Sequence, residues 1–248
     1  MLKIFGLPIA DISYSETISQ IKTWLQEPGQ HLIVTANPEI LLHAKKNNDY
    51  YRILKHASLL IPDGAGITSL SYLFNEPLTK GRVMGVNLAE RVLKESAFYD
   101  LKVFIIGDNL DVLKNVANKY GGKISYAAGP MFNNWENFPL ADQTNDFLIE
   151  RIEAESPDIL LVGFGAPKQE RWIDYYLPKL STVKIAMGVG GSLDYLGERL
   201  KRAPLWMQTS GIEWLWRVIL QPKRIFRIIR AVFIFPILAT FSHFRHEN

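Results

Sequence analysis

Ile159-Leu160-Leu161-Val162, followed by Gly163-Phe164-Gly165-Ala166-Pro167-Lys168-Gln169-Glu170, decides the fold. Four consecutive branched apolar residues read as a strand buried on both faces, because a strand with one wet face would alternate. Two glycines break the run, and Pro167 then suits a helix start, where its missing amide has no partner to lose. Strand, tight turn and helix make one βα unit.

The same pattern recurs along the chain. Leu32–Ala36 precedes Asn37-Pro38-Glu39, and Ser58–Ile61 precedes Pro62-Asp63-Gly64-Ala65-Gly66. Lys102–Ile106 precedes Gly107-Asp108-Asn109, and Lys184–Met187 precedes Gly188-Val189-Gly190-Gly191-Ser192. Spacings of roughly 30–50 residues fit βα units. The expected class is α/β: a Rossmann-like, mostly parallel sheet with helices on both faces, over residues 1–196. Residues 134–146, polar and interrupted by Pro139, read as a loop leading into a helix. Ligands of such sheets bind beyond the carboxyl ends of the strands, so the turns are where chemistry is sought.

Composition excludes several classes. The 248 residues are 48% hydrophobic and 21% charged, which fits one large domain with an appendage. The absence of cysteine removes disulfide scaffolds, thiol nucleophiles, cysteine zinc sites and iron–sulfur clusters. The net charge of +3 is uneven: Arg217, Lys223, Arg224, Arg227 and Arg230 fall in one acid-free stretch, so the remainder is net acidic. Residues 197–248 are therefore expected to form a basic, amphipathic helical appendage facing an anionic partner. Met1–Leu7, with Pro8 and Asp11 close behind, does not read as a signal peptide. Ala231–Phe241 is apolar but contains Pro236, and a span needs roughly 20 residues. It is expected to lie on a membrane rather than cross it. Packing of the same face on the body is the alternative. Nucleic acid is disfavoured, because the cations are confined to one short segment beside an apolar face.

Familiar cofactor fingerprints fail. Gly163-Phe-Gly165 and Gly188-Val-Gly190 lack the third glycine of a dinucleotide motif, and no phosphate-binding P-loop or nucleophile elbow occurs. The histidines lack metal-ligand spacing, and no Asp-x-Asp pair is present to hold a metal on a diphosphate. Neither a cofactor nor a metal is expected. Asp63, at a strand end before a glycine-rich turn, suits a general base; it would equally serve as an N-cap. Thr35, Asn37 and Glu39 occupy the equivalent turn one unit earlier, where they bind sugar hydroxyls or cap the next helix. In the 163–170 turn, Gly165 allows close approach of a ligand to the backbone, with Lys168 and Gln169 facing the same mouth. Gly188–Ser192 is a second amide-rich turn suited to phosphate.

Thr35-Ala36-Asn37-Pro38-Glu39, Pro62-Asp63-Gly64, Gly81-Arg82-Val83-Met84-Gly85, residues 163–170, and Gly188-Val189-Gly190-Gly191 with Asp194 occur in that order. Arg202-Ala203-Pro204, Glu213-Trp214 and the series Arg217, Pro222, Arg224, Arg227 follow. Together they resemble the WecG/TagA/CpsF family of bacterial glycosyltransferases, from Met1 to about Arg230. The resemblance implies inverting, metal-independent transfer of N-acetylmannosamine or a related hexose from a UDP-sugar. The acceptor it implies is a sugar on polyprenyl diphosphate, at the cytoplasmic face of the plasma membrane, with the protein bound peripherally through its C-terminal segment. It makes Asp63 the base. It makes Thr35, Asn37, Arg82, Gly165, Lys168, Gln169, Gly190, Asp194, Arg217, Arg224 and Arg227 substrate-binding residues. A homo-oligomer stays open. So do two other classes: a non-catalytic binder of nucleotide-sugar or lipid phosphate, and a soluble nucleotide-sugar epimerase or hydrolase. Arg230 and the Ala231–Phe241 extension lie outside the family pattern.

Overall fold

The computed structural model describes residues 1–130, 143–222 and 225–245. The chain opens with a small antiparallel hairpin, β1 (Lys3–Ile4) and β2 (Leu7–Pro8), whose two-residue turn places Phe5 and Gly6 at positive φ. Helix α1 (Tyr14–Gln26) starts at a capping box in which Ser13 and Glu16 satisfy each other's backbone amides. Then come β3 (His31–Ala36), α2 (Pro38–Lys46), α3 (Asn48–His56), β4 (Leu59–Pro62), α4 (Ala65–Leu73) and α5 (Gly85–Phe98). The second half runs β5 (Lys102–Gly107), α6 (Leu110–Tyr120), β6 (Lys123–Ala128), α7 (Gln143–Glu155), β7 (Ile159–Val162), α8 (Lys168–Tyr176), β8 (Ile185–Gly188) and α9 (Ser192–Leu196).

Strands β3 to β8 form one parallel sheet in the order β4-β3-β8-β7-β5-β6. Register aligns Ala36 with Pro62, and Val34 and Val162 with Gly188. The turns beginning at Asn37, Asp63, Gly163 and Val189 therefore open along one edge. Alternation splits the strand residues between two cores. Val34, Leu60, Phe104, Leu160 and Ala186 pack with Leu41, Tyr50, Leu54, Trp172 and Ile173 on one face. Ile33, Ile61, Ile105, Leu161 and Met187 pack with Ile21, Leu88, Val92, Val116 and Leu193 on the other. Both faces are covered, which is why the strands read as continuous apolar runs.

After Leu196 the chain returns over the strand ends as α10 (Leu205–Thr209), α11 (Glu213–Leu220), α12 (Ile225–Ile229) and α13 (Phe235–Arg245). Arg230–Ile234 is a π-helical turn, and residues 225 to 245 run as one helix. The expectation that the apolar run containing Pro236 is too short to span is corrected, because the helix begins at Ile225 and runs to Arg245. The wider π turn loosens the ladder just where proline lacks a donor, so the helix continues through it. It spans 21 residues of mean hydropathy 1.8, long and apolar enough to cross a membrane by length and composition. Its other relation is to the body: Phe235 and Ala239 are fully buried, and Phe235 meets Phe5 edge-on at 6.0 Å. The opposite stripe of Phe226, Phe233, Ile237, Phe241 and Phe244 is exposed. The helix thus carries two apolar faces, one packed and one largely exposed, with Phe244 at its end meeting Phe74 edge-on.

Candidate active site

Residues of the β3 and β4 turns, the start of α5, and the returning C-terminal segment enclose a cavity of about 370 Å³. Asp63 stands in its wall. The residue before it ends β4 and its own amide donates to Ala36 O at 2.7 Å, so the backbone is tied to the sheet edge. The N-cap of α4 is Gly64, at φ 126° and without a side-chain cap. The Asp63 carboxylate instead accepts the amide of Gly85, at the first turn of α5, with Oδ2 at 3.2 Å. A Cβ on Gly85 would stand 3.1 Å from Thr35 Oγ1 and 3.2 Å from Asp63 Oδ2. Glycine at this position lets hydroxyl and carboxylate converge on the helix start. Burial pushes the Asp63 pKa up to about 6; the Gly85 amide, Arg82 and Arg217 oppose that rise, and Glu213 adds to it. A carboxylate poised there is ionised at neutral pH yet basic enough to take a proton.

Asn37 caps α2, its Oδ1 accepting the amides of Glu39 (3.0 Å) and Ile40 (3.1 Å), while its side chain also lines the cavity. Capping and lining are compatible. Arg82 enters the wall and donates to Gln208 O at 2.7 Å, fastening the returning segment to the α5 side. Arg217, from α11, lies over the Tyr195 ring at 5.4 Å. Its Nη2 would be 2.8 Å from a Cβ on Gly191. Arg227, from the tail helix, pairs with Glu39. The structure therefore brings Asn37, Asp63, Arg82, Arg217 and Arg227 to one cavity. Arg224 and Lys223 lie outside the described residues.

Thr35, Gly165, Lys168, Gln169, Gly190 and Asp194 are not among the cavity's lining residues. Thr35 is buried behind Gly85. Gln169 was expected to face the mouth; it is buried, and its Oε1 accepts the amides of Gly165 (3.0 Å) and Gly190 (2.9 Å). Lys168 opens α8, half-buried. Asp194 forms an ion pair with Arg199 at 2.7 Å, close to Gly191 and hence to Arg217.

Some cavity residues carried no assigned role in the sequence reading. Arg202 donates to Asn87 and approaches Glu213 at 3.8 Å; its Nε and Nη2, like Nε of Arg217, are buried with no hydrogen-bond acceptor among the described residues. Buried guanidinium donors left open beside a cavity are what an anionic ligand would satisfy. Arg202-Ala203-Pro204 and Glu213-Trp214 were visible as motifs, but nothing in their spacing showed that they return to Asp63. Tyr195 had no signal at all. A second, smaller cleft shares Glu39 and Arg227 with the first, adding His43, Lys46 and Arg230 beside Leu42, Ile234 and Leu238.

A doubly covered parallel sheet, with a carboxylate and arginines gathered beyond its strand ends, defines a Rossmann-like α/β protein with a cationic pocket at the edge where such sheets bind ligands. The chain belongs to the WecG/TagA/CpsF family: the model of "Glycosyl transferase WecG/TagA/CpsF family" matches residues 2–248. It is 32% identical over 230 residues to the N-acetylglucosaminyldiphosphoundecaprenol N-acetyl-beta-D-mannosaminyltransferase of Staphylococcus aureus (strain MRSA252), covering 91% of this chain and 87% of that protein. A protein of the same name from strain NCTC 8325 / PS 47 is 32% identical over 227 residues, with the same coverage.

Proposed function

We propose that the protein transfers N-acetylmannosamine or a related hexose from a UDP-sugar to a sugar carried on polyprenyl diphosphate, with inversion and without a metal. The observation that carries this reading is Asp63: a partly buried carboxylate, pushed up to about 6, in a cavity walled by Arg82, Arg217 and Arg227. The 32% identity to enzymes named for an undecaprenyl-diphosphate acceptor supports the acceptor class.

In the step, the acceptor hydroxyl oxygen attacks the anomeric carbon from the face opposite UDP. Its proton passes to Asp63 as the new carbon–oxygen bond forms and the bond to the diphosphate breaks. One inversion needs one base. The leaving diphosphate gathers charge, and the open donors of Arg202 and Arg217 stand where planar guanidinium forks could meet it. The basic cleft beside Glu39 and Arg227 suits the lipid-bound diphosphate of the acceptor.

The exposed stripe from Phe226 to Phe244 supports peripheral attachment to the cytoplasmic face of the plasma membrane, where such acceptors are found. On this reading residues 1–196 form the catalytic body and 197–248 the appendage that closes it. The deciding experiment incubates the protein with a panel of UDP-sugars and a polyprenyl-diphosphate-linked GlcNAc, and identifies products by mass. One UDP-sugar yields a disaccharide-lipid with inverted anomeric configuration; hydrolysis of every donor without transfer would reject the proposal.

A further inference from the structure

Beneath the glycine turns lies a buried carboxylate that the transfer step does not use. Glu170 is completely buried, with Oε2 accepting the Tyr50 hydroxyl at 3.0 Å and Oε1 accepting Gln169 Nε2 at 2.7 Å. Gln169 is 4% exposed, and its carbonyl oxygen takes the amides of both Gly165 and Gly190. Those amides belong to the turns after β7 and β8, neighbours in the middle of the sheet. Both glycines are at positive φ, 76° and 45°. The packing leaves no slack: a Cβ on Gly188 would stand 2.5 Å from Gln169 Nε2 and 2.9 Å from Glu170 Oε1.

We propose that Glu170 is a positioning residue, its carboxylate, held by Tyr50, fixing the Gln169 amide so that one oxygen clasps the Gly165 and Gly190 turns and sets the donor side of the active site. The words "donor side" rest on the function proposed above, in which Arg217 meets the leaving diphosphate: its Nη2 lies 2.8 Å from where a Cβ on Gly191, next to Gly190, would stand. The clasp does not rest on that function. The argument is one of polarity. A side-chain amide has a donating end and an accepting end, whereas a backbone N–H only donates. Facing two glycine N–H groups, Gln169 can present only its oxygen, which leaves its NH₂ for Glu170. The flipped amide would set oxygen against carboxylate and NH₂ against two N–H groups. Buried and unpaired on both sides, that arrangement is strongly disfavoured. Tyr50 supplies the second donor that the carboxylate needs in a dry site.

Gln169→Glu places two buried carboxylates side by side and should break the clasp. The exchange Gln169→Glu/Glu170→Gln restores the pattern, with the relocated carboxylate taking both glycine amides and the relocated carboxamide bridging to Tyr50. Hydrogen–deuterium exchange at the Gly165 and Gly190 amides reads the clasp independently of activity. Donor and acceptor KM read its consequence. Expected for Gln169→Glu are exchange faster by at least tenfold at both glycines and a donor KM raised about tenfold or more, with acceptor KM within twofold. The double exchange recovers most of both losses. Tyr50→Phe, the milder variant that keeps both Gln169 and Glu170, should show a smaller acceleration at the same two amides. Wild-type exchange at Gly165 and Gly190 in Gln169→Glu and Tyr50→Phe, or a double exchange no better than the single, would overturn the proposal. If the amides respond as expected while no UDP-sugar is used by the wild type, the clasp stands and the functional reading fails.

Discussion

Arg227 of the tail helix holds Glu39 of α2 with Nε 2.7 Å from Oε1, joining segments 188 residues apart at the rim of the cavity. The two side chains are 47% and 32% exposed, so solvent screens the pair and it contributes at most about 1 kcal/mol to stability. Its consequence lies in placement: the same guanidinium faces both the Asp63 cavity and the smaller basic cleft. Arg227→Ala is expected to lower kcat/KM for a lipid-linked acceptor by about 10–100-fold, the worth of a charge-assisted hydrogen bond. Its melting temperature should stay within a few degrees of wild type. A variant that melts much earlier but transfers normally would assign Arg227 to structure alone.

Asp63→Asn should lose on the order of 10²–10⁴-fold in transfer, because an amide cannot take the hydroxyl proton. UDP affinity, measured by calorimetry, should change little. Turnover near the wild-type rate would remove Asp63 from the mechanism.

The raised pKa of Asp63 gives two pH effects of opposite sign. As pH rises through about 6, the base ionises and transfer accelerates toward a plateau. Stability runs the other way. The folded state binds the proton more tightly than the unfolded chain, whose value is near 3.8, so the favourable contribution is complete below that value and lost by about pH 6. Above pH 6 the protein carries the cost of a desolvated carboxylate, on the order of 1–3 kcal/mol. Asp63→Asn should therefore be more stable than wild type at pH 7.5, with the gap closing toward pH 4, as urea denaturation at the two pH values would reveal. Equal stability at both would mean the carboxylate is not desolvated.

Much of this was legible in the chain. β3, β4, β5, β7 and β8 announce themselves because both their faces are covered, and a doubly buried strand has no polar residues to hide it. β6 gave no such run: Lys-Ile-Ser-Tyr-Ala-Ala is exposed at both ends and buries only Ala127 fully, whereas β4, the other edge strand, is buried from Leu60 to Pro62. The turn motifs marked Asp63 and Asn37 because glycine and proline punctuate strand ends. What spacing could not show is which polar atoms are spent on the protein itself. Gln169 follows Lys168 in a glycine-rich turn and looks available, yet its amide is buried and bonded to Gly165, Gly190 and Glu170. The tail was read as too short because its apolar run was counted from Ala231 to Phe241, whereas the helix begins at Ile225 and continues to Arg245.

Transfer should survive excess EDTA. The sequence has no Asp-x-Asp pair, and four arginines, Arg82, Arg202, Arg217 and Arg227, line the cavity to neutralise a diphosphate. Complete loss in chelator, restored by magnesium or manganese, would show that a cation takes part.

The last expectation concerns the tail, and its two apolar faces dictate how it is tested. Deleting residues 222–248 would uncover the pocket that Phe235 fills against Phe5 and the core around Ile40. Removing a fully buried phenylalanine alone costs about 3–5 kcal/mol, so truncation confounds attachment with unfolding. Phe235→Ala should show this as a marked fall in melting temperature. The informative change is on the other face, where Phe233, Ile237 and Phe241 are 64%, 57% and 73% exposed and belong to neither core. Replacing these three with serine should leave the melting temperature within a few degrees. It should also abolish sedimentation with vesicles containing anionic lipid, since each buried side chain contributes about 1.5–3 kcal/mol to partitioning and cations alone add about 1 kcal/mol apiece. Transfer to a short, soluble acceptor analogue should persist, because Arg227 and the cavity are untouched, while transfer to the full-length lipid acceptor in vesicles falls. If the triple variant still binds vesicles as tightly as wild type, the exposed stripe is not what meets the membrane.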